Sequence, residues 1–229
     1  MGNITKEPCG ISFIKKLRIV GGTEATPHSQ PWVVSLKEKV QDGPTVISYT
    51  CGGVLISRWH VLSASHCNNV CCWHTFSFAI LGEHDLSEAD GEKKHEIKKW
   101  HEHPKARWLT MSGPVLYDYA IAELKNVVEY TDYIQPICLP LEDHLTYSGD
   151  IAIVSGWGRV KFNGSLSNKL MTTNVTILHT SECKAEWDKL YKNLNYIKEV
   201  DYPTNVFMCA ADPEKYEKDV CKGDSGGRY

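Results

Sequence analysis

Short apolar runs broken by turn residues recur along the whole chain, and they constrain its fold more than any other feature. Trp32-Val33-Val34-Ser35-Leu36, Cys51 to Ile56, Phe76 to Leu81 and Ile151 to Val154 are each of strand length. That recurrence is the pattern of an all-β protein. Asp42-Gly43-Pro44 separates two of the runs and reads as a turn. From Met171 to Ile177 the residues alternate: Met171, Thr173, Val175 and Ile177 share one face, and Thr172, Asn174 and Thr176 share the other. This predicts that Asn174 points to solvent. One segment reads as a helix, with Cys183, Trp187, Leu190, Tyr191 and Leu194 on one face and Ser181 as a candidate N-cap. Strands with one short helix suggest packed sheets or barrels. No apolar run is long enough to cross a bilayer as a helix.

The 25 Lys and Arg nearly balance the 28 Asp and Glu, for a net charge of −3. No basic stripe marks a nucleic-acid partner. With 42% hydrophobic and 23% charged residues, collagen-like and disordered readings are excluded. A length of 229 residues permits one large domain or two small ones. Nine cysteines are scattered: Cys9, Cys51, Cys67, Cys71, Cys72, Cys138, Cys183, Cys209 and Cys221. They do not form paired zinc knuckles, and scattered cysteines suit an oxidising compartment. The odd number leaves at least one cysteine without a partner in this chain, which leaves room for a partner outside it. Sequons at Asn3, Asn163 and Asn174 agree with export. The stretch MGNITKEPCG lacks the apolar core of a secretory signal, and Lys6 breaks a myristoylation pattern at Gly2. An exported protein would therefore carry its signal or an upstream module ahead of Met1.

Chemistry concentrates in three places. Gly223-Asp224-Ser225-Gly226-Gly227 sets a serine among glycines. A serine hydroxyl needs a base to take its proton and donors to hold the oxyanion that forms. Glycines let the backbone turn sharply and bring N–H groups close to a reacting carbonyl. A glycine-rich surface turn is the plainer account of that stretch alone. Ser63-Ala64-Ser65-His66-Cys67 supplies a histidine, one of ten, just after the apolar pair Val61-Leu62. Tyr117-Asp118-Tyr119-Ala120-Ile121 supplies an aspartate at the mouth of another apolar stretch. The order His66, Asp118, Ser225 is one of the chain orders of a Ser-His-Asp triad.

With Ile19-Val20-Gly21-Gly22, Gln30-Pro31-Trp32, Cys51-Gly52-Gly53 and Ser155-Gly156-Trp157-Gly158, these segments resemble the trypsin-like serine proteases of chymotrypsin fold. The likeness runs from about Cys9 to Gly227. It implies two antiparallel β-barrels: residues 1–18 as a propeptide-like segment, 19–134 as the His and Asp barrel, and 135–229 as the Ser barrel, incomplete at its C-terminal side. Ser225 resembles the nucleophile, His66 the general base and Asp118 the carboxylate that fixes the imidazole tautomer. The N–H groups of Gly223 and Ser225 resemble the oxyanion hole; these roles are those of the general triad template. Asp219, six residues before Ser225, resembles the residue at the floor of the family's specificity pocket. A carboxylate there favours a substrate Arg or Lys, although Lys215, Glu217 and Lys218 beside it also fit a charged surface.

Leu17-Arg18-Ile19 resembles a zymogen cleavage site. A cut after Arg18 would free the α-amino group of Ile19 to pair with Asp224 and order the pocket, a conformational switch. The resemblance also implies disulfides Cys51–Cys67, Cys183–Cys209 and Cys9–Cys138, the last tethering the propeptide after cleavage. It leaves Cys71 and Cys72 unassigned and places the partner of Cys221 beyond Gly227. The segment from Gly82-Glu83-His84-Asp85 to Asp90-Gly91-Glu92-Lys93 resembles a calcium loop. Lys93 stands where the last carboxylate ligand belongs, so an ammonium paired with Glu83 or Asp90 is expected in place of the ion. No metal or cofactor is expected. His95, His101 and His103 lack a fourth ligand for zinc, and His103-Pro104-Lys105 matches a common loop of the family.

The family continues for several dozen residues past the point matching Tyr229, with one pocket wall, a substrate-binding strand and a C-terminal helix. Arg228 also replaces the usual proline. Two readings stand: an extracellular endopeptidase of which this is a part, or a short, inactive product serving as a binding or decoy protein. A metal-binding module is a third. For a chain ending at Tyr229, no labelling of Ser225 by an organophosphonate is expected. The partners implied are protein substrates, an activating protease and protease inhibitors.

Overall fold

A computed structural model describes residues 8–14, 23–42, 44–68, 75–89, 91–108, 115–140, 147–158, 165–191 and 208–211. The strands, in chain order, are β1 (Thr23–Glu24), β2 (Val33–Asp42), β3 (Thr45–Ser57), β4 (His60–Ser63), β5 (Phe78–Leu81) and β6 (Lys93–Glu102). They continue as β7 (Arg107–Trp108), β8 (Val115–Leu116), β9 (Ala120–Leu124), β10 (Ile151–Gly156) and β11 (Met171–Ile177). Helix α1 (Thr180–Tyr191) and β12 (Ala210–Ala211) follow, and a 3-10 turn over Ser65–Asn68 succeeds β4. The protein is mostly β.

Six strands close into a barrel in the order β2-β3-β4-β9-β6-β5. β2 and β3 form a hairpin that pairs from Val33↔Val54 to Asp42↔Thr45. Its strands outrun the apolar runs seen in the sequence, because ladder pairing carries past the residues that are buried. Strand β9 shows the period of two plainly: Ala120, Ala122 and Leu124 are buried, whereas Ile121 and Glu123 are half-buried. Inside lie Val34, Leu36, Leu55, Val61, Phe76, Leu81 and Leu124, with Val128 and Ile134 from the segment after β9. β3 and β4 approach so closely that a Cβ at Gly53 would sit 2.8 Å from Val61 Cγ1 and 3.1 Å from the Leu62 carbonyl. Only glycine fits there. Closure leaves this barrel without an open edge.

The second half is built differently. Among the described residues it forms a four-stranded sheet of order β1-β11-β10, with β12 also on β11. Loops join it to the barrel: Leu170 N–H donates to the His84 carbonyl at 2.9 Å, and Leu86 N–H donates to the Asn168 carbonyl at 2.8 Å. Trp157 Nε1 donates to the same His84 carbonyl at 3.0 Å. A small core of Ala25, Trp157 and Leu170 sits at this junction, with Val33 and Leu86 against it.

Two expectations need correction here. On β11, Thr172 is buried, not exposed, and Asn174 is half-buried. Thr172 lies opposite Ser155 on β10, and the Ser155 hydroxyl donates to Gln30 Oε1 at 2.8 Å and lies 3.1 Å from Thr172 Oγ1. The face expected to be wet thus packs a polar network against the barrel side. The helix cap is His179, not Ser181. Glu182 Oε2 accepts from His179 N–H at 3.0 Å, and His179 Nδ1 accepts from Ser181 N–H at 3.2 Å. An imidazole nitrogen replaces the usual hydroxyl oxygen in a capping box, which places Ser181 inside the helix.

Candidate active site

His66 and Asp118 meet because of how β4 and β9 pair. Ser63 lies opposite Ala120, so both strands leave the barrel at the same end. His66 comes three residues after Ser63, and Asp118 two before Ala120. The 3-10 turn then lifts the imidazole toward the carboxylate. His66 Nδ1 lies 2.7 Å from Asp118 Oδ2, and His66 N–H donates to Asp118 Oδ1 at 2.8 Å. Both carboxylate oxygens are engaged, and the side chains keep 29% and 28% exposure, so neither is sealed from solvent. An ionised carboxylate only accepts hydrogen bonds. The ring nitrogen that faces the carboxylate as a donor is therefore Nδ1.

The turn is anchored from below. Cys67, 1% exposed, forms a disulfide with Cys51 of β3, and Ser63 Oγ donates to the Gly52 carbonyl at 2.8 Å. Further disulfides join Cys9 to Cys138 and Cys183 to Cys209. Gly10 N–H donates to the Pro136 carbonyl at 2.8 Å, so the N-terminal segment is pinned beside its disulfide. Cys51, His66 and Cys67 bring three ligand atoms within 4.8 Å of one another. The two sulfurs are bonded together, so neither is a thiolate and the trio is not a metal site.

Asp118 occupies a tight turn. Tyr119 N–H donates to the Tyr117 carbonyl at 2.8 Å across it, and Tyr117 takes a left-handed φ of 53°. Such a backbone costs a non-glycine residue on the order of 1–3 kcal/mol and persists only where surroundings hold it. Burial raises the Tyr119 phenol above its ordinary pKa, and the neighbouring Asp118 and Tyr117 add to the shift.

The resemblance assigned Glu83 or Asp90 a cation from Lys93. Lys37 Nζ lies 3.2 Å from Glu83 Oε2, and the Glu83 side chain is 4% exposed. Lys37 lies on β2, next to β5, whose end leads into Glu83; nothing in the local sequence of the loop points to it. His84 Nε2 lies 3.1 Å from Glu24 Oε1, and Lys169 joins the same carboxylate. Hydrogen bonds from His84 and then Lys169 hold the Glu24 carboxyl below its usual pKa. His101 pairs with Glu123, and His103 stacks on Tyr117, so each is engaged separately.

Ser225, Gly223, Asp219, Asp224, Arg18 and Ile19 lie outside the described residues, as do Cys71, Cys72, Cys221, Asp90, Asn3 and Asn163.

Comparison with known proteins adds to this geometry. The family model described as Trypsin matches residues 19–229. Ovochymase-2 of Mus musculus is 31% identical, over 99% of this chain and 36% of its own length. The proclotting enzyme of Tachypleus tridentatus is 36% identical, over 96% of this chain and 57% of its own. The venom serine protease Bi-VSP of Bombus ignitus is 31% identical, over 96% and 58%. The chain thus spans between about a third and three fifths of the length of these relatives.

Proposed function

The chain belongs to the trypsin family of serine proteases, and from that premise we propose that it is the catalytic part of an extracellular serine endopeptidase that cuts after Arg or Lys. The observation that carries the reading is the pairing of both Asp118 oxygens with His66, at 2.7 and 2.8 Å. It supports a general base whose ring is aimed by a fixed carboxylate. Ser225 is the nucleophile. Its Oγ bonds to the scissile carbonyl carbon as His66 Nε2 takes the hydroxyl proton. The N–H groups of Gly223 and Ser225 hold the oxyanion. Collapse breaks the C–N bond, and His66 returns the proton to the departing amine. Water then repeats the sequence on the acyl-enzyme and regenerates Ser225.

Asp219 at the pocket floor supplies the charge that selects Arg or Lys. Activation follows cleavage after Arg18, when the α-amino group of Ile19 pairs with Asp224. The domain division is 1–18, 19–134 and 135–229, with the closed barrel of β2 to β9 in the second of these and a second barrel, incomplete at its C-terminal side, in the third. The disulfide between Cys9 and Cys138 suits both an oxidising compartment and a leader that stays attached after the cut.

The free α-amino group titrates at about 7.7–8.0, and pairing with Asp224 raises it. A raised pKa stabilises the active form fully below the free value, and that contribution is lost as pH climbs through the raised value. Activity of the cleaved protein should accordingly fall on the alkaline side. The direct test uses a protein that continues past Tyr229: labelling by a lysine- or arginine-like organophosphonate after cleavage at Arg18. Labelling that disappears in Ser225→Ala and weakens in Asp219→Ser is the expected result. A native, cleaved protein that takes no label would overturn the proposal.

A further inference from the structure

We propose that His103 is a positioning residue that sets the aim of Asp118 by gripping the residues on both sides of it. The inference rests on the roles given to His66 and Asp118 above. His103 lies in the turn between β6 and β7, far from the 3-10 turn in sequence. Its imidazole stacks flat on the Tyr117 ring, with centroids 4.9 Å apart and planes 7° from parallel. The same ring meets Tyr119 edge-on at 6.1 Å. Its backbone N–H donates to the Tyr119 carbonyl at 2.9 Å. The residues immediately before and after Asp118 are thus both held by one side chain and one amide.

The grip has something to hold against. Tyr117 keeps a left-handed φ of 53° without being glycine, and relaxation of that angle would swing the following carboxylate. Stacking of two flat rings opposes the swing, because rotation of the Tyr117 backbone would carry its ring off the imidazole. The imidazole is itself fixed: Lys105 N–H donates to His103 Nδ1 at 3.2 Å, and Ala106 N–H donates to the His103 carbonyl at 2.8 Å. Lys105 Nζ also lies 5.5 Å from the centre of the Tyr117 ring. What the arrangement supplies is planarity and contact rather than charge, so an aromatic ring without ionisation should serve as well.

The test compares His103→Ala with His103→Phe in the activated protein, and it reads two quantities. One is the split between kcat and KM on a peptide substrate with Arg before the cut. The other is the low-field proton resonance of His66 Nδ1–H, which reports its hydrogen bond to Asp118 whether or not the protein turns over. His103→Ala should lower kcat about tenfold, since small misplacements of catalytic groups are costly, with KM within about twofold, and should broaden or shift the resonance. His103→Phe should restore both. An unchanged resonance and kcat in His103→Ala would overturn the proposal, as would His103→Phe behaving like His103→Ala. A resonance that responds as described in a protein without peptidase activity would instead sink the protease reading and leave this one standing.

Discussion

The closed barrel and the four-stranded sheet are made from the same kinds of residues, yet they are stabilised differently. The barrel pairs both edges of every strand and fills its interior with apolar side chains, Leu55, Val61 and Ala122 among them at 0% exposure. The sheet seals its buried end with hydroxyls and an amide, through Gln30, Ser155 and Thr172. At its other end Ile151 remains 67% exposed. Closure explains the contrast. A closed sheet has one inside, whereas the described strands of the second sheet take their buried face from whatever packs upon them. The consequence is functional: His66 and Asp118 both spring from the closed barrel, where strand register holds their separation.

The largest effect should come from Asp118→Asn. It keeps the size of the side chain but can hold the wrong imidazole tautomer, so kcat should fall by about four orders of magnitude while the barrel stays folded. Steady-state kinetics beside circular dichroism would measure this, and a loss under tenfold would break the link between barrel register and chemistry. Next comes a pair of truncations. Leu55→Ala should cost about 2–5 kcal/mol in denaturant unfolding through the cavity it leaves. Ile151→Ala should change stability by no more than about 0.5 kcal/mol, as exposed positions do. Equal costs would mean that the two regions are not packed as differently as described.

The smallest effect is a pH dependence on the barrel's outer face. Lys98 and then His101 hydrogen-bond Glu123 and hold its carboxyl down to about 2. A lowered carboxyl pKa stabilises the fold above the ordinary value of 4.5, and the contribution is lost as pH falls toward about 2. Glu123→Gln should flatten the acid limb of a stability–pH curve over that interval. Parallel curves for the two proteins would show that the cluster contributes nothing.

Much of this was open to reading in the linear chain. Alternating and short apolar runs point to strands, and the landmarks around His66, Asp118 and Ser225 carry the family resemblance, which the match over residues 19–229 establishes. Other features were hidden for physical reasons. Lys37 and Glu83 are 46 residues apart, and pairing of β2 with β5 is what brings them together. The burial of Thr172 depends on Gln30, which is 142 residues away. His179 caps its helix through a ring nitrogen, for which the usual Ser, Thr, Asp and Asn signature gives no cue.

What the amino-acid order determined by itself is local: which residues prefer extended backbone, where turns fall, and which segments carry the landmarks of the family. Tertiary structure alone decided the distances. The 2.7 Å contact of His66 with Asp118 spans 52 residues and exists because β4 and β9 pair at one end of a closed barrel. A hydrogen bond of that length tolerates little displacement, and no local preference of the chain can hold two remote groups so closely.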